Sequence, residues 1–324
     1  MKAIRIHQFG PTEDVLQYED VPIPIPSTDE LLIKIEAASL NRADLGLRKG
    51  SYRVSPDDLP LVPGREFAGI VDKIGPNVTE FETGQRVVAY TAKGGYAEYA
   101  TAKASEVRPV PDGIELATAA AVPTVFLTAW FGLLKEAKLQ SGEWLLVQAG
   151  SSGVGIAAIQ IGKHCGARVI ATSSDDRKAR KLQHLGVDLV IDYTKNDLVF
   201  EVARATARRG VDVVLEMIGG DVYRKSLELL APGGRLVSLG GAFGSIPETP
   251  PQLSDGRKAT RFSITNYLKA HPEDFRQLDT FLTLIKENTF FVIIDKAFPL
   301  AEARAAQHYL ESREHFGKIV LTMS

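Results

Sequence analysis

A single cysteine, Cys165, stands in a chain of 324 residues. That scarcity excludes an intramolecular disulfide framework and any zinc site built from several cysteines. An excess of either charge is also missing, since 38 Lys+Arg face 40 Asp+Glu for a formal net charge of −2. Without a basic footprint, nucleic acid is not expected as a partner. Low-complexity tracts, short-period repeats and blocks of like charge are absent. The opening MKAIRIHQFG lacks the apolar core of a secretory signal. One stretch, Ala117 to Leu134, carries no charge over 18 residues. It is mostly Ala and Thr with Pro123 in its middle, and reads as a buried helix at a domain junction rather than a lipid-facing span. A soluble, cytoplasmic protein without a membrane partner is expected.

What is present is an ordinary globular composition, 44% hydrophobic and 24% charged, in a chain too long for one core. Residues 1–110 read as β-rich. Runs such as LLIKIEAASL and FAGIVDKIG alternate in period two between Pro and Gly clusters. Pro22, Pro24 and Pro26 exclude a central strand there. From Trp144 the texture changes to short apolar runs (WLLVQAG, ARVIATSS, DLVIDY, VDVVLEM, GRLVSLGG) separated by helix-length amphipathic stretches. That alternation predicts βα units and a parallel sheet covered on both faces. PEDFRQLDTFLTLIKEN then reads as a helix opened by Pro272, and FFVIIDKAFPL and FGKIVLTMS as strands. The expected fold is α/β: a β-rich domain over 1–122, a doubly wound domain over 123–265, and a return to the first domain over 266–324.

The run WLLVQA leads straight into Gly150-Ser-Ser-Gly153-Val-Gly155 and the helical IAAIQIGKHCG. In this order, the N–H groups of the first helical turn and the positive end of the helix dipole face a pyrophosphate. Gly150, Ser152, Gly153 and Val154 are expected to bind a dinucleotide, and Gly155 to let the helix pack close to the sheet. Leu239 and Gly240, closing GRLVSLGG, join the cofactor-binding set. An NAD site places a carboxylate at the end of the second strand. Here RVIATSS ends in Ser173 and Ser174, with Lys178 close behind. Hydroxyls and an ammonium suit a 2′-phosphate, so NADPH is the expected cofactor. Two alternatives stay open: Lys178 as a solvated helix charge, and Asp175 or Asp176 turned inward to favour NADH.

Gly64-Arg-Glu66-Phe-Ala-Gly69 is followed by Gly75 and Val78, and Gly142-Glu143 leads through the glycine turn to Gln160 and Lys163. SLNRAD (39–44), GGYAEY (94–99) and the closing FGKIVL complete the set. On these residues the chain resembles the medium-chain dehydrogenase/reductase superfamily over its whole length, and within it the zinc-independent quinone oxidoreductases, the zeta-crystallin group. The resemblance implies a GroES-like domain and a Rossmann domain with the active site in the cleft between them. It implies that Thr128 contacts the nicotinamide, that Tyr193 helps hold the adenosine phosphate and that Lys318 reaches the cofactor. It also implies a homodimer joined through the Rossmann sheets, with RFSITNY as a candidate edge strand.

Zinc-dependent relatives hold their catalytic metal with a Cys near the SLN position and the His of a G-H-E motif. This chain has Arg65 at that His, and a guanidinium is not a metal ligand. The lobe with four structural cysteines is replaced by AYTAKGGYAEY, and no metal site is expected. Ser152 stands where the family often has glycine, either adding a hydroxyl to the pyrophosphate or simply tolerating the turn.

Without a zinc Lewis acid, the feasible acceptors stabilise negative charge themselves, as quinones and α,β-unsaturated carbonyls do. Asn41 is the candidate amide for the nicotinamide or the acceptor oxygen. Tyr52 is either the phenol that donates to the reduced oxygen or a packing residue. Asp44 is read as structural and Cys165 as buried and inert. The expected activity is an NADPH:quinone reductase, with an NADPH-dependent enone or alkenal reductase as the alternative. A non-enzymatic NADPH-binding protein is a third reading.

Overall fold

The computed structural model of the chain describes residues 1–10, 15–240 and 245–323. They form two compact units, Met1–Thr124 with Pro272–Ser324, and Val125–His271. The first unit opens with β1 (Lys2–Ile6), β2 (Leu16–Asp20), β3 (Glu30–Ser39), α1 (Arg42–Arg48), β4 (Glu66–Ile74), β5 (Arg86–Tyr90), β6 (Tyr99–Lys103), β7 (Val107–Pro109) and α2 (Leu116–Ala120). After α3 (Pro123–Trp130), the second unit alternates β8 (Trp144–Val147), α4 (Gly153–His164), β9 (Arg168–Ser173), α5 (Asp176–Gln183), β10 (Leu189–Asp192), α6 (Leu198–Ala205), β11 (Val211–Glu216), α7 (Gly220–Glu228) and β12 (Leu230–Ser238). It closes with β13 (Lys258–Arg261) and α8 (Ile264–Ala270). The chain returns to the first unit with α9 (Gln277–Lys286), β14 (Ile294–Pro299), α10 (Ala303–Ser312) and β15 (Lys318–Thr322).

In the first unit, β1 and β2 pair as an antiparallel ribbon, and a larger sheet runs β14-β15-β3-β4-β5-β7 with β6 also on β3. Ile4, Leu31, Ile33, Phe67, Val87 and Leu321 are among the residues of its apolar core. The register of this sheet sets up a polar cluster. Ser39, at the end of β3, lies opposite Glu66 on one side and Val320 on the other, and the Leu40 N–H donates to the Ile319 carbonyl at 2.9 Å. Asn41, Glu66 and Lys318 therefore meet where three strands end.

The second unit is a six-stranded parallel sheet in the order β10-β9-β8-β11-β12-β13. This is the strand order of a dinucleotide-binding Rossmann sheet, whose direction of winding reverses between β8 and β11. Every residue of β11 is buried, as a central parallel strand requires.

Two expectations are corrected here. RFSITNY does not continue as a strand, because only Lys258–Arg261 pairs with β12 and Ser263 then caps α8, accepting the Asn266 N–H at 3.4 Å. The uncharged stretch from Ala117 is divided at Pro123, which opens α3 where its missing N–H costs nothing. No described helix is long and apolar enough to cross a membrane.

Candidate active site

The chain leaves β8 through Gln148, Ala149 and Gly150 before α4 begins. Ala149 has φ of 50°, a left-handed conformation that costs a non-glycine residue about 1 kcal/mol or more. Neighbouring groups hold it there. The Ala149 N–H donates to Thr172 Oγ1 at 3.0 Å, and the Gly150 N–H to the Thr172 carbonyl at 3.0 Å. The Thr172 hydroxyl donates to Gln148 Oε1 at 3.0 Å, and Gln148 Nε2 donates to Ser226 Oγ at 3.1 Å. All three side chains are buried.

Ser152 is the N-cap of α4. Its hydroxyl accepts the Gly155 N–H at 3.0 Å and donates to the Ala149 carbonyl at 2.8 Å. The Ser152 hydroxyl is thus engaged within the turn, a cap worth about 1 kcal/mol. Gly153 and Val154 lie in the first turn, where a helix has no acceptors of its own for N–H groups. A Cβ at Gly155 would come within 2.4 Å of the Ala149 carbonyl oxygen, so this glycine seats the helix on the turn. The glycine that brings α4 down on the sheet is Gly162, where a Cβ would meet Leu145 Cδ2 at 2.8 Å.

At the end of β9, Ser173 is buried and its hydroxyl donates to the Asp175 carbonyl at 2.9 Å. Ser174 is half-buried and its hydroxyl lies 3.4 Å from the Asp175 carboxylate. Asp175 caps α5, accepting the Lys178 N–H at 2.8 Å. Burial opposes the charge on Asp175, but the Lys178 N–H and ammonium outweigh it and hold the carboxyl below its ordinary pKa. Asp176 is turned to Lys195, 2.5 Å away on the surface. Lys178 is not a solvated helix charge, because its side chain is 5% exposed with Nζ 4.0 Å from Asp175. Tyr193 is exposed and its N–H donates to the Ser173 carbonyl at 3.2 Å. Leu239 and Gly240 follow β12, the Leu239 N–H bonded to the Glu216 carbonyl at 2.8 Å. Thr128 is buried on α3.

Glu216, which no sequence motif singles out, is fully buried. It accepts the Ile218 and Gly219 N–H groups at 2.6 and 2.8 Å and the Ser238 hydroxyl at 3.1 Å. It ties the turn after β11 to the end of β12.

The polar cluster of the first unit centres on Asn41, whose Nδ2 donates to Glu66 Oε1 at 2.8 Å. Lys318 Nζ donates to Asn41 Oδ1 at 2.8 Å, to Glu66 Oε1 at 2.9 Å and to the Leu40 carbonyl at 2.7 Å. An ammonium has three N–H groups, so those of Lys318, expected to reach the cofactor, are engaged within this unit. Glu66 Oε2 accepts the Thr124 N–H at 2.7 Å. Asp44 lies beneath, accepting the Asn41 N–H at 2.8 Å and the Tyr96 hydroxyl at 3.1 Å. Burial pushes its carboxyl up to about 6 against the Asn41 N–H and the charges of Arg65 and Lys318.

Arg65 is buried, with its guanidinium 5.7 Å from the centre of the Tyr52 ring and 5.2 Å from that of Tyr90. Its Nη1 donates to the Tyr52 hydroxyl at 3.1 Å. Burial works against its charge, yet the two tyrosines and Asp44 keep its pKa above that of a free guanidinium. The residue at the metal-ligand position of the G-H-E pattern therefore grips Tyr52. Cys165 is half-buried, and burial raises its thiol pKa. Among the described residues, no group of three His, Cys, Asp or Glu is placed to hold a metal ion.

Residues 27–112 match the family model of the alcohol dehydrogenase GroES-like domain, and residues 185–321 that of the zinc-binding dehydrogenases. The chain is 32% identical to quinone oxidoreductase of Sus scrofa, over 100% of this chain and 98% of the relative. Its fold is similar to that of Escherichia coli quinone oxidoreductase complexed with NADPH, with a TM-score of 0.92 and 30% identity over 99% of this chain and 100% of the other. It is also similar to the CurK enoyl reductase, with a TM-score of 0.90 and 28% identity over 100% and 99%. The GroES-like first segment, the Rossmann sheet and this likeness along the full length agree, and the chain belongs to the quinone oxidoreductase family of the medium-chain dehydrogenase/reductase superfamily, as an oxidoreductase.

Proposed function

We propose that the protein is a zinc-independent reductase that delivers a hydride from NADPH to a quinone. The observation that carries the cofactor choice is at the end of β9. Asp175 caps α5, Asp176 pairs with Lys195 on the surface, and the buried group beside them is the cation Lys178. A ribose 2′-phosphate fits that arrangement better than a 2′-hydroxyl, which needs an acceptor there. The NADPH complex of the Escherichia coli relative supports the same choice.

In this reading Gly150, Ser152, Gly153 and Val154 cradle the pyrophosphate, and the backbone N–H groups of the first turn carry the binding while Ser152 caps it. Ser173, Ser174, Lys178 and Tyr193 hold the adenosine phosphate. Leu239, Gly240 and Thr128 complete the cofactor contacts. When bound, NADPH supplies the hydride. Asn41 hydrogen-bonds the nicotinamide or the acceptor oxygen, and Tyr52, its oxygen held by Arg65, donates the proton to the reduced oxygen. The donor set does not fit a catalytic zinc, because Arg65 occupies a ligand position and is tied to Tyr52. We further propose a cytoplasmic homodimer joined through β13, which lies at the edge of its sheet. No nucleic acid or membrane partner is proposed.

Enone or alkenal reduction is the second reading, favoured by the likeness to an enoyl reductase. Initial rates on a quinone and an enone of matched size separate the two. Faster NADPH oxidation with the quinone supports the proposal, and turnover confined to the enone replaces it. Tight NADPH binding without turnover on either would favour a binding role.

A further inference from the structure

Asn41 sits between an ammonium, which can only donate, and a carboxylate, which can only accept. Its Oδ1 takes an N–H of Lys318 at 2.8 Å and its Nδ2 gives a hydrogen to Glu66 at 2.8 Å. Turned over, the amide would set its oxygen against the carboxylate and its nitrogen against the ammonium. Both bonds would be lost, and each charge-assisted bond is worth roughly tenfold or more in population. The amide thus holds one orientation. Its clamp is itself held, because Glu66 Oε2 accepts the Thr124 N–H at 2.7 Å and Lys318 is fixed to the Leu40 carbonyl at 2.7 Å. One Nδ2 hydrogen remains on the amide, and the ammonium pulling on Oδ1 makes it a better donor.

We propose that Lys318 and Glu66 are positioning residues, which hold the Asn41 carboxamide so that it meets the acceptor as an N–H donor. Lys318 acts through Asn41 and does not touch the cofactor. The inference rests on the reductase reading above and decides which end of the amide works. Reduction of a carbonyl or quinone places negative charge on its oxygen, which an N–H stabilises and an amide oxygen would repel.

The double variant Glu66→Gln/Lys318→Met tests this with a neutral pair of similar size that strands neither charge. NADPH affinity is read by fluorescence titration and turnover by NADPH oxidation. The variant is expected to bind NADPH within about threefold of the wild-type Kd and to lose at least about tenfold in kcat. A Kd raised by about tenfold would put Lys318 on the cofactor and overturn the proposal, as would a kcat within about twofold of wild type. A second measurement does not depend on that variant. Glu66→Gln is expected to cost about tenfold in kcat alone, but less than about twofold in an Asn41→Ala background. Equal losses in both backgrounds would make Glu66 merely structural. Failure of the wild type to bind NADPH would instead remove the reading on which the proposal rests.

Discussion

Lys318 and Glu66 form an ion pair 2.9 Å long whose side chains are 5% and 0% exposed. Each is solvated almost entirely by its partner and by Asn41, Leu40 and Thr124. Removing one partner strands the other charge, a loss of about 3–5 kcal/mol. Lys318→Met alone is therefore expected to lower the unfolding free energy obtained by urea denaturation by that amount, and adding Glu66→Gln to recover most of it. A single variant as stable as wild type would show that the pair is not desolvated.

Asp44 makes stability depend on pH. Its carboxyl is pushed up to about 6 in the folded protein, chiefly by burial, against about 3.9 in an unfolded chain. The folded state therefore binds the proton more tightly. Stability falls as pH rises from about 4 to about 6 and stays lower above, by roughly 3 kcal/mol at most. Asp44→Asn is expected to remove this slope, seen as a variant-minus-wild-type difference that grows over that window. A difference that stays constant from pH 4 to 7 would contradict the assignment.

Thr172 holds the left-handed Ala149 through a hydroxyl that both accepts and donates. Thr172→Val keeps the shape and removes both bonds, which are worth about 1 kcal/mol each. NADPH affinity is expected to fall about tenfold with kcat little changed, and Thr172→Ser to restore it. Unchanged affinity in the valine variant would mean that the turn keeps its shape without the hydroxyl.

Lys178 is expected to set the preference between cofactors. Replacing it by Met removes a cation whose bond to a phosphate is worth about 1.5–3 kcal/mol, so NADPH affinity should fall at least about tenfold and NADH affinity much less. Equal losses for both would assign Lys178 to packing.

Tyr52→Phe tests the proposed proton donor. Loss of a positioned acid costs about a hundredfold or more in rate, whereas a packing tyrosine tolerates the change. The kcat of this variant on a saturating quinone distinguishes the two.

Much of the scaffold was legible because its signals are local. The run of β11 is buried at all six positions and reads as a central parallel strand without any partner being known. Gly150 through Gly155 announced a glycine-rich turn by sitting between an apolar strand and a helix. RFSITNY suggests an edge strand because Phe262 and Ile264 suit one, while the serine between them caps a helix. Helix α10 carries little sequence signal although Ala303, Ala306, Gln307 and Leu310 form a buried stripe at helical spacing. Alanine and glutamine make that stripe faint. The residues of the candidate site could be named one at a time, but their couplings could not. Lys318 and Asn41 are 277 positions apart, and only the register of β15 on β3 brings them together. Arg65 could be excluded as a metal ligand from its chemistry, while its grip on Tyr52 depends on a loop path no periodicity encodes. The burial of Lys178 was likewise out of reach, since neighbouring Arg177, Arg180 and Lys181 make the helix look solvated throughout.

The most direct measurement is the initial rate of NADPH oxidation with a small ortho-quinone, chelator present and NADH run in parallel. A chelator-insensitive rate that is markedly faster with NADPH is expected. A rate abolished by chelator, or one that favours NADH, would contradict the proposed function.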